Sequence, residues 1–480
     1  MSSTSIVINQ GSDNMRINEV DLNSRTDITF HFRKAGSIIK HNELKKCEIY
    51  FCPFDDEDDA AEGLLNIYWK ADKILWNNFF AHYFMIYLIY FQDIVILTDE
   101  KEREKPNKIT WKLLRSDYNM EGLIDQFLSS DIVRNHITMA MANDHEVSLD
   151  ELKYYFTVIH TAAINVVLKW FYGIHNGALA NNILPNSELK IDPDDFEKAV
   201  TSFKWDEANE DGLFRQIYRY CDNKRKEIFS SMQPWKRWLF MEFPIEYCKC
   251  LPSMIFPNWY IASFCKDCTS ARNWEHYADS SRGICLIHKT HDGPYGRGLK
   301  IKTCHEYSTN KGRIIENHIE PLLDVEYTGE PTRLNFFEML GSITHGMNDE
   351  WFQDRNGNKS AYYYGKHNSP IRDEWSQKYW HAFQKHIALK GYDWENLKEQ
   401  RVVLEDDLIS KYSSESERKI KYDFDELDGI IWGVRTKDED KHEIRKIIEE
   451  LCEINDRESF DYYQAVVDSS DGSIWIEKES

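Results

Sequence analysis

Residues 274–278 hold the combination of side chains that is most typical of a ligand site. Their sequence, Trp-Glu-His-Tyr-Ala, sets His276 beside Tyr277, and Gly283 then leads into an apolar run. Such an arrangement resembles the wall of a site. A histidine among aromatic rings is also a common part of a hydrophobic core, so this segment alone leaves both interpretations open.

Two pairs of cysteines could offer four thiolates to a zinc ion. Cys248 and Cys250 are separated by one residue, and Cys265 and Cys268 by two. Only the second spacing is usual for zinc, Cys265 lies in an apolar run, and no histidine spacing completes the set. We therefore expect buried thiols and no metal, with a zinc site as the alternative.

Charge and composition limit the classes of function. The 480 residues include 59 Lys and Arg against 81 Asp and Glu, which gives a formal net charge of −22 at pH 7. Such a chain disfavours a broad nucleic-acid-binding surface. Hydrophobic residues make up 42 % of the chain and aromatic residues 14 %, as in a large globular protein. The first residues lack the regions of a secretory signal, so we expect a cytoplasmic protein.

Residues 74–97 form the stretch that could suggest a membrane. The stretch contains Asn77, His82 and Asp93, and its longest apolar piece is too short for about 30 Å of hydrocarbon. We predict a buried helix here and no membrane contact.

The elements that must position the candidate residues alternate between short strands and long helices. Apolar and polar residues alternate at residues 28–33, and further short strand-like runs occur at residues 48–52, 259–265, 283–287, 398–404 and 429–433. Apolar positions at helical spacing predict helices at residues 148–173, 371–390 and 438–452. Because the strands are far apart in sequence and separated by helices, we predict the α+β class, with a small mixed or antiparallel core sheet surrounded by many helices.

The same pass along the chain predicts its domain organisation. Residues 1–27 are polar and are expected to form a flexible N-terminal tail. Residues 28–455 are expected to form a single large domain of catalytic type, with helical insertions near 98–240 and 305–370. Residues 456–480 are expected to be a C-terminal extension.

Several segments together resemble the uncharacterised, mostly bacterial family catalogued as domain of unknown function 2971, over most of the chain. The central match is the strongest. The chain departs from the family pattern at Cys52, Asp58, Ala60 and Leu397, where the family has Ser, Asn, Pro and Glu. The segments that carry the resemblance are Phe30-His31-Phe32-Arg33, Tyr50-Phe51-Cys52-Pro53, Asp58-Asp59-Ala60-Ala61-Glu62-Gly63, Ser263-Phe264-Cys265, Trp274-Glu275-His276-Tyr277-Ala278, Ile431-Trp432-Gly433, and the spaced set Lys390, Trp394, Glu399 and Arg401.

The order of these segments is similar to that of ADP-ribosyltransferase folds: a basic strand, a Tyr or Ser strand, and a late Glu strand. This likeness implies that NAD is the substrate and that Arg33 or His31 binds its ribose and phosphates. Glu399 would stabilise the cationic ribose as nicotinamide leaves. Since Leu397 replaces the first Glu, the likeness favours hydrolysis of NAD, or an acceptor other than an amino acid. The further binding residues that it implies are Tyr50, Cys52, Trp274, Tyr277 and Arg401.

We therefore expect NAD-dependent glycosyl transfer or hydrolysis, as in a toxin or phage-defence effector, with a macromolecular acceptor or a partner protein. Catalysis is assigned to Glu399, Arg33 and His276, and substrate contact to Asp59 and Glu62. Two alternatives stay open. One is a metal-dependent hydrolase or nuclease, in which the acidic turn and His276 hold a divalent ion. The other is a sensor without catalysis.

This interpretation requires the candidate residues to meet. We predict that His31 or Arg33, Tyr50, Trp274, His276 and Glu399 converge on one cleft. The ordinary roles of the same residues are a surface ion pair for Arg33, a mutual ion pair for Glu399 and Arg401, and core packing for Trp274.

Overall fold

The structure, a computed structural model, describes residues 19–53, 65–111, 120–174, 233–308, 312–328, 332–340, 351–365, 370–406 and 411–479. Over these residues the protein combines helices with mainly antiparallel sheets, which confirms the predicted α+β class. The strands are β1 Ile28–Arg33, β2 Glu48–Tyr50, β3 Cys52–Pro53, β4 Asn66–Tyr68, β5 Trp259–Cys265, β6 Ile284–Lys289, β7 His291–Gly293, β8 Gly296–Ser308, β9 Gly312–Pro321, β10 Leu323–Asp324, β11 Glu326–Tyr327, β12 Arg333–Asn335, β13 Leu389–Lys390, β14 Glu399–Glu405, β15 Lys419–Lys421, β16 Leu427–Trp432, β17 Asp461–Val467 and β18 Ile474–Lys478.

The helices are distributed between these strands. The α-helices run over Ala35–His41, Lys73–Phe91, Glu121–Leu128, Asp131–Ala140, Leu149–Ile174, Pro234–Arg237, Phe243–Cys250, Pro252–Ile255, Ala271–His276, Pro370–Ile387 and Asp438–Ile454. Shorter 3-10 or π segments lie at Leu22–Ser24, Gln92–Ile96, Glu100–Glu102, Ala142–Asp144, Trp238–Glu242, Phe336–Glu338, Tyr392–Leu397, Glu415–Arg418 and Phe424–Glu426.

Two compact units divide the chain. Unit 1 comprises residues 1–64, 258–331 and 384–480, and unit 2 comprises residues 65–257 and 332–383. The sequence predicted one domain with insertions near 98–240 and 305–370. The interruptions of unit 1 begin elsewhere, because residues 66–68 pair with residues 333–335 inside unit 2 and because β8 and β9 form a long hairpin inside unit 1.

Unit 1 is built on a sheet whose described strands follow the order β10-β14-β5-β1-β6-β16-β17-β18, with β3 also paired to β5. Its neighbours are antiparallel except β16 and β17, which are parallel. Five of the six predicted strands lie in this sheet. The sixth, predicted at residues 48–52, is split, because β2 belongs to a separate sheet of β2, β15, β8, β7 and β9.

Both predicted termini need correction. The expected C-terminal extension contains β17 and β18, which complete the main sheet. Tyr463 and Ala465 alternate towards the core there, so burial of apolar side chains holds these strands in place. At the other end, the predicted tail includes Leu22, which is buried, and Val20, whose N–H donates to Ile476 of β18 at 2.9 Å.

The main sheet has two buried faces. Phe30 and Cys265 lie opposite each other on β1 and β5 and share the first face with Trp274 of helix Ala271–His276. The second face carries the next residues along each strand, such as Phe264, and is covered by helices Ala35–His41 and Asp438–Ile454 through Ile38 and other apolar side chains. Because side chains alternate along a strand, neighbours in sequence face different cores.

Unit 2 has an aromatic core around helix Lys73–Phe91. The Tyr83 hydroxyl lies 2.8 Å from His160 Nδ1, and His82 Nδ1 lies 2.8 Å from the Tyr247 hydroxyl. Among the residues that the structure covers, this helix with its extension to Ile96 is long and apolar enough to cross a membrane, and 78 % of its apolar window is buried within the protein. That degree of burial is typical of a core helix.

Candidate functional site

A buried carboxylate, Glu399, is the centre of the candidate site. It begins β14, where it lies opposite Cys265 of β5 and therefore on the first face of the sheet. Its Oε1 accepts hydrogen bonds from Arg401 Nε at 2.8 Å and Ser263 Oγ at 2.9 Å, and its Oε2 accepts from Lys390 Nζ and the Tyr277 hydroxyl, both at 3.0 Å. Two cations and two hydroxyls thus hold one carboxylate.

The electrostatics keep this carboxylate ionised. The side chains of Glu399 and Arg401 are fully buried, and that of Lys390 is 4 % exposed. Burial by itself raises the pKa of a carboxyl group, but the Arg401 guanidinium and the Lys390 ammonium outweigh it and lower the pKa of Glu399 to about 2. Burial and the charge of Glu399 in turn raise the pKa of Tyr277 well above its usual range. At neutral pH the phenol therefore stays protonated and donates a hydrogen bond to the ionised carboxylate.

An aromatic patch connects this buried group to the surface. We define it as His276, Tyr277 and Trp394, each half-buried. The His276 ring lies 4.8 Å from that of Tyr277 and 5.1 Å from that of Trp394, and Lys390 Nζ lies 5.2 Å from the centre of the Trp394 ring. The exposed Arg272 adds a cation near the patch, since it donates to the Asp393 carbonyl at 2.6 Å. The patch can stack on a planar ligand within reach of the buried ion cluster.

The backbone turn that follows Tyr277 fixes the position of the aromatic patch. Asp279, Ser280 and Ser281 are all left-handed, and the turn they form ends at Gly283, whose N–H donates to the Ala278 carbonyl at 2.7 Å. A Cβ at position 283 would lie 2.2 Å from the carbonyl oxygen of Arg33. Only glycine fits there, so this motif glycine fixes the end of β1 against the turn that follows the patch.

Arg33 and His31 do not join the site. Both lie on the second face of the sheet, whereas Glu399 lies on the first. Arg33 forms a bidentate ion pair with Glu43, at 2.6 and 3.1 Å. His31 is buried beside Phe264. Its burial, and to a smaller extent the positive charge of Arg33, lower the pKa of His31 well below its usual range. The predicted convergence on one cleft is therefore wrong for these two residues, because alternation along β1 directs them to the opposite core.

Tyr50 and Cys52 also lie apart from Glu399. Tyr50 belongs to β2 in the other sheet, where its hydroxyl accepts from Arg418 Nη2 at 3.4 Å. Cys52 on β3 lies opposite Ile261 of β5, four residues from the partner of Glu399. Their predicted role against nicotinamide has no geometric support.

Trp274 is part of the core rather than of the patch. It is fully buried, its Nε1 donates to the Cys268 carbonyl at 2.8 Å, and its ring meets Phe32 edge-on at 5.0 Å. The acidic residues Asp59 and Glu62 lie outside the described residues, so their predicted contact with substrate, and with a divalent ion in the alternative, stays a prediction.

Ser263, Lys390 and Tyr327 also belong to the site, although the sequence predicted a role for none of them. The Tyr327 hydroxyl accepts from the backbone N–H of Glu399 at 2.8 Å, so three more residues hold the carboxylate or its backbone. One signal was available: a lysine that directly follows the apolar run Ile387-Ala388-Leu389 is a candidate buried cation. The pair of Glu399 with Arg401 is present, as the ordinary interpretation of that spacing expected.

The four cysteines considered for zinc are split between the units. Cys248 and Cys250 lie on a helix of unit 2, and Cys265 and Cys268 belong to unit 1. Burial raises the pKa of Cys250 to about 12 and that of Cys265 well above its usual range. Among the residues that the structure describes, no group of three or more His, Cys, Asp or Glu has a metal-binding arrangement.

A surface groove of about 610 Å³ lies elsewhere on unit 1. Its lining includes Phe460, Tyr462 and Arg445, and the guanidinium of Arg445 lies 4.3 Å from the centre of the Tyr462 ring. The carboxylates at the groove are on the surface, and Asp461 is paired with Lys478 at 2.8 Å. The Glu399 cluster is the stronger candidate because it keeps an ionised carboxylate away from water.

Comparisons with known proteins add no identification. No protein-family model, no curated protein and no solved structure matches this chain. The resemblance drawn from short motifs therefore stays a prediction, and the geometry of the Glu399 cluster and the aromatic patch is the basis for assigning a function.

Proposed function

We propose that unit 1 is an enzyme that cleaves the bond between nicotinamide and ribose in NAD and passes ADP-ribose to water or to a macromolecular acceptor. The observation that carries the proposal is the ionised Glu399 carboxylate beneath the aromatic patch. A carboxylate in a water-poor site stabilises a cationic, oxocarbenium-like ribose more strongly than a carboxylate in water. The ribose must contact Glu399 directly to gain from this, because Lys390 and Arg401 share its charge.

The patch supplies the binding surface in this proposal. The nicotinamide or adenine ring stacks on Trp394 and His276, and Arg272 at the rim takes a phosphate in the place first assigned to Arg33. Tyr277 covers Glu399 in the free protein, and the arriving ribose displaces this side chain to reach the carboxylate. When the glycosidic bond breaks, nicotinamide leaves with the bonding electron pair, and the acceptor oxygen forms the new bond to the same ribose carbon and releases its proton to solvent water.

The residue near Glu399 in the sequence indicates which kind of acceptor the enzyme uses. The position two residues before Glu399 is Leu397, which is fully buried and apolar. No second carboxylate is therefore present there to orient an amino-acid acceptor. This supports water as the acceptor, or an acceptor whose nucleophile needs no second carboxylate to orient it.

The experiment is to incubate the full chain with NAD, with and without EDTA, and to measure released nicotinamide. We expect release in both conditions. Trp394→Ala should raise KM by about 5- to 100-fold, because base stacking on an aromatic ring contributes about 1–3 kcal/mol. Trp475→Ala, a half-buried tryptophan on β18, is the matched control and should leave KM unchanged.

The second arm tests the carboxylate. Glu399→Gln should lower kcat by about 100- to 1000-fold, the usual cost of one lost electrostatic contact. It should be assayed at a temperature where the variant is shown to be folded, since the same change destabilises the sheet. Absence of nicotinamide release by the wild type, release abolished by EDTA, or equal KM values for the two tryptophan variants would each overturn the proposal.

A further inference from the structure

Among the strands that the structure describes, β9 is an open edge of the second sheet of unit 1. Its ten residues, Gly312–Pro321, pair with β8 along their whole length. No other described strand pairs with β9, and the centre of the strand is exposed, with Ile315 at 55 %. Glu316 and Asn317 are exposed as well.

An edge of this length has a physical consequence. Every second residue of an antiparallel strand directs its N–H and C=O groups away from its partner, so the free side of β9 offers a row of backbone donors and acceptors. Such a row is a template for another strand unless charges or prolines block it. β9 has a proline only at its last position, and its exposed centre combines Ile315 with Glu316 and Asn317.

We propose that a second copy of this chain pairs antiparallel with β9 and continues the sheet across a two-fold axis. The side chains of β9 favour a second copy of the same strand as the partner. A two-fold axis perpendicular to the sheet keeps the faces of the two copies aligned, so residue numbers of opposite partners must be both odd or both even.

Charge and the length of the overlap together select one register: axes at Ile315 or Ile319 oppose no like charges, but they overlap only seven and five residues of the strand. An axis at Glu316 would set the two copies of that carboxylate opposite each other, and an axis at His318 would set Glu316 opposite Glu320; both arrangements oppose like charges. An axis at Asn317 sets Glu316 opposite His318 and Ile315 opposite Ile319, twice each. It also overlaps nine residues, 313–321. The strand is thus self-complementary in this register, which makes the chain itself the partner that fits the edge.

The test uses a cysteine at the axis. In the proposed register the two residues at position 317 have Cα atoms about 4.5–5.5 Å apart, within disulfide range. Position 315 of one copy is offset by four residues from position 315 of the other, about 14 Å along the strands. Asn317→Cys should therefore form a disulfide-linked dimer under mild oxidation, and Ile315→Cys, the matched control, should form no more than the wild type.

Sedimentation of the full chain gives the second measurement. The wild type should form a dimer in a concentration-dependent way, and Ile315→Lys should weaken it at least tenfold, since an ammonium would face Ile319. Ile454→Lys changes an apolar residue that is 76 % exposed on another surface and should leave the dimer unchanged. A wild type that stays monomeric at high micromolar concentration overturns the proposal, as does a dimer that tolerates Ile315→Lys. Cross-linking at position 315 but not 317 would overturn the register.

Discussion

Replacing Glu399 with glutamine removes a charge that two buried cations share. The glutamine amide keeps the size of the side chain and one oxygen acceptor, but its NH₂ group cannot accept from Lys390 or Arg401. Arg401 has no exposed side-chain surface and Lys390 only 4 %. Neither cation can reach water without opening the sheet, so the variant leaves positive charge in a dry environment.

The magnitude of this effect follows from the pKa of Glu399 and, separately, from the usual cost of breaking a buried ion pair. The ordinary pKa of a glutamate side chain is 4.5, and that of Glu399 is about 2. At about 1.4 kcal/mol per pH unit, this difference corresponds to about 3 kcal/mol of preference for the ionised form in the folded state. Removing one partner of a buried ion pair typically costs about 3–5 kcal/mol. The two routes agree, and we expect Glu399→Gln to lower the free energy of unfolding of unit 1 by about 3–5 kcal/mol.

The pH dependence has a definite direction. Because the folded state lowers the pKa of Glu399, its contribution is fully present above the unfolded value of 4.5 and is lost as the pH falls through about 2. The wild type should therefore lose stability between about pH 5 and pH 2. Glu399→Gln should lack this part of the loss, so the two proteins should approach each other in stability as the pH falls.

Hydrogen exchange of β5 and β14 peptides measures the effect locally, which matters because a chain of two compact units need not unfold in one step. The control is Glu395→Gln, an exposed carboxylate on the preceding turn, which should change the free energy of opening by less than about 0.5 kcal/mol. A Glu399→Gln protein whose β5 and β14 amides exchange as slowly as those of the control would refute the reasoning. A stability difference between wild type and variant that is the same at pH 7 and pH 3 would also refute it.

Two further substitutions test a close backbone contact and a buried histidine in unit 1. Gly283→Ala places a methyl group 2.2 Å from the carbonyl oxygen of Arg33 and should cost about 3 kcal/mol in thermal or urea unfolding, whereas Gly36→Ala has open space and should be neutral or stabilising. His288 is buried, its Nε2 has no partner, and burial lowers its pKa to about 3, so the neutral form stabilises the fold and stability falls as the pH drops below 6.5. His288→Phe should reduce that fall between pH 6.5 and 5, measured against the exposed His442→Phe; equal slopes for the two variants would contradict the assignment.

The strands were largely predictable because their signal is local. β1 alternates apolar and polar residues, and β5, β6, β14 and β16 contain short apolar runs; local signals of this kind survive in almost any tertiary context. β17 carried the same signal, in Tyr463 and Ala465, and was missed because its position at the end of the chain suggested an extension. The main sheet is therefore larger than the sequence predicted.

The face on which a residue lies was not predictable in the same way. Arg33 and Glu399 lie on strands that both flank β5, and which face each occupies depends on register with that strand. A change of one residue in register would invert the face. Register is fixed by packing between segments more than 130 residues apart, so no local pattern around either residue contains it. The sequence therefore could not predict which residues share the site with Glu399, except for the motif residues that lie around it.

Tyr277 is the member of the cluster that can move during the proposed reaction while the buried ion pairs, which stabilise the site, stay in place. A carboxylate has about four lone-pair positions, and Glu399 uses all four on Arg401, Ser263, Lys390 and Tyr277. A cationic ribose can approach the charge only if one donor moves. The two cations are buried and Ser263 is fixed on β5, whereas Tyr277 lies in the partly exposed aromatic patch. Displacement of Tyr277 by an arriving ligand would expose the carboxylate without removing either buried cation from its partner, so the ion cluster can stay intact while the carboxylate serves the reaction.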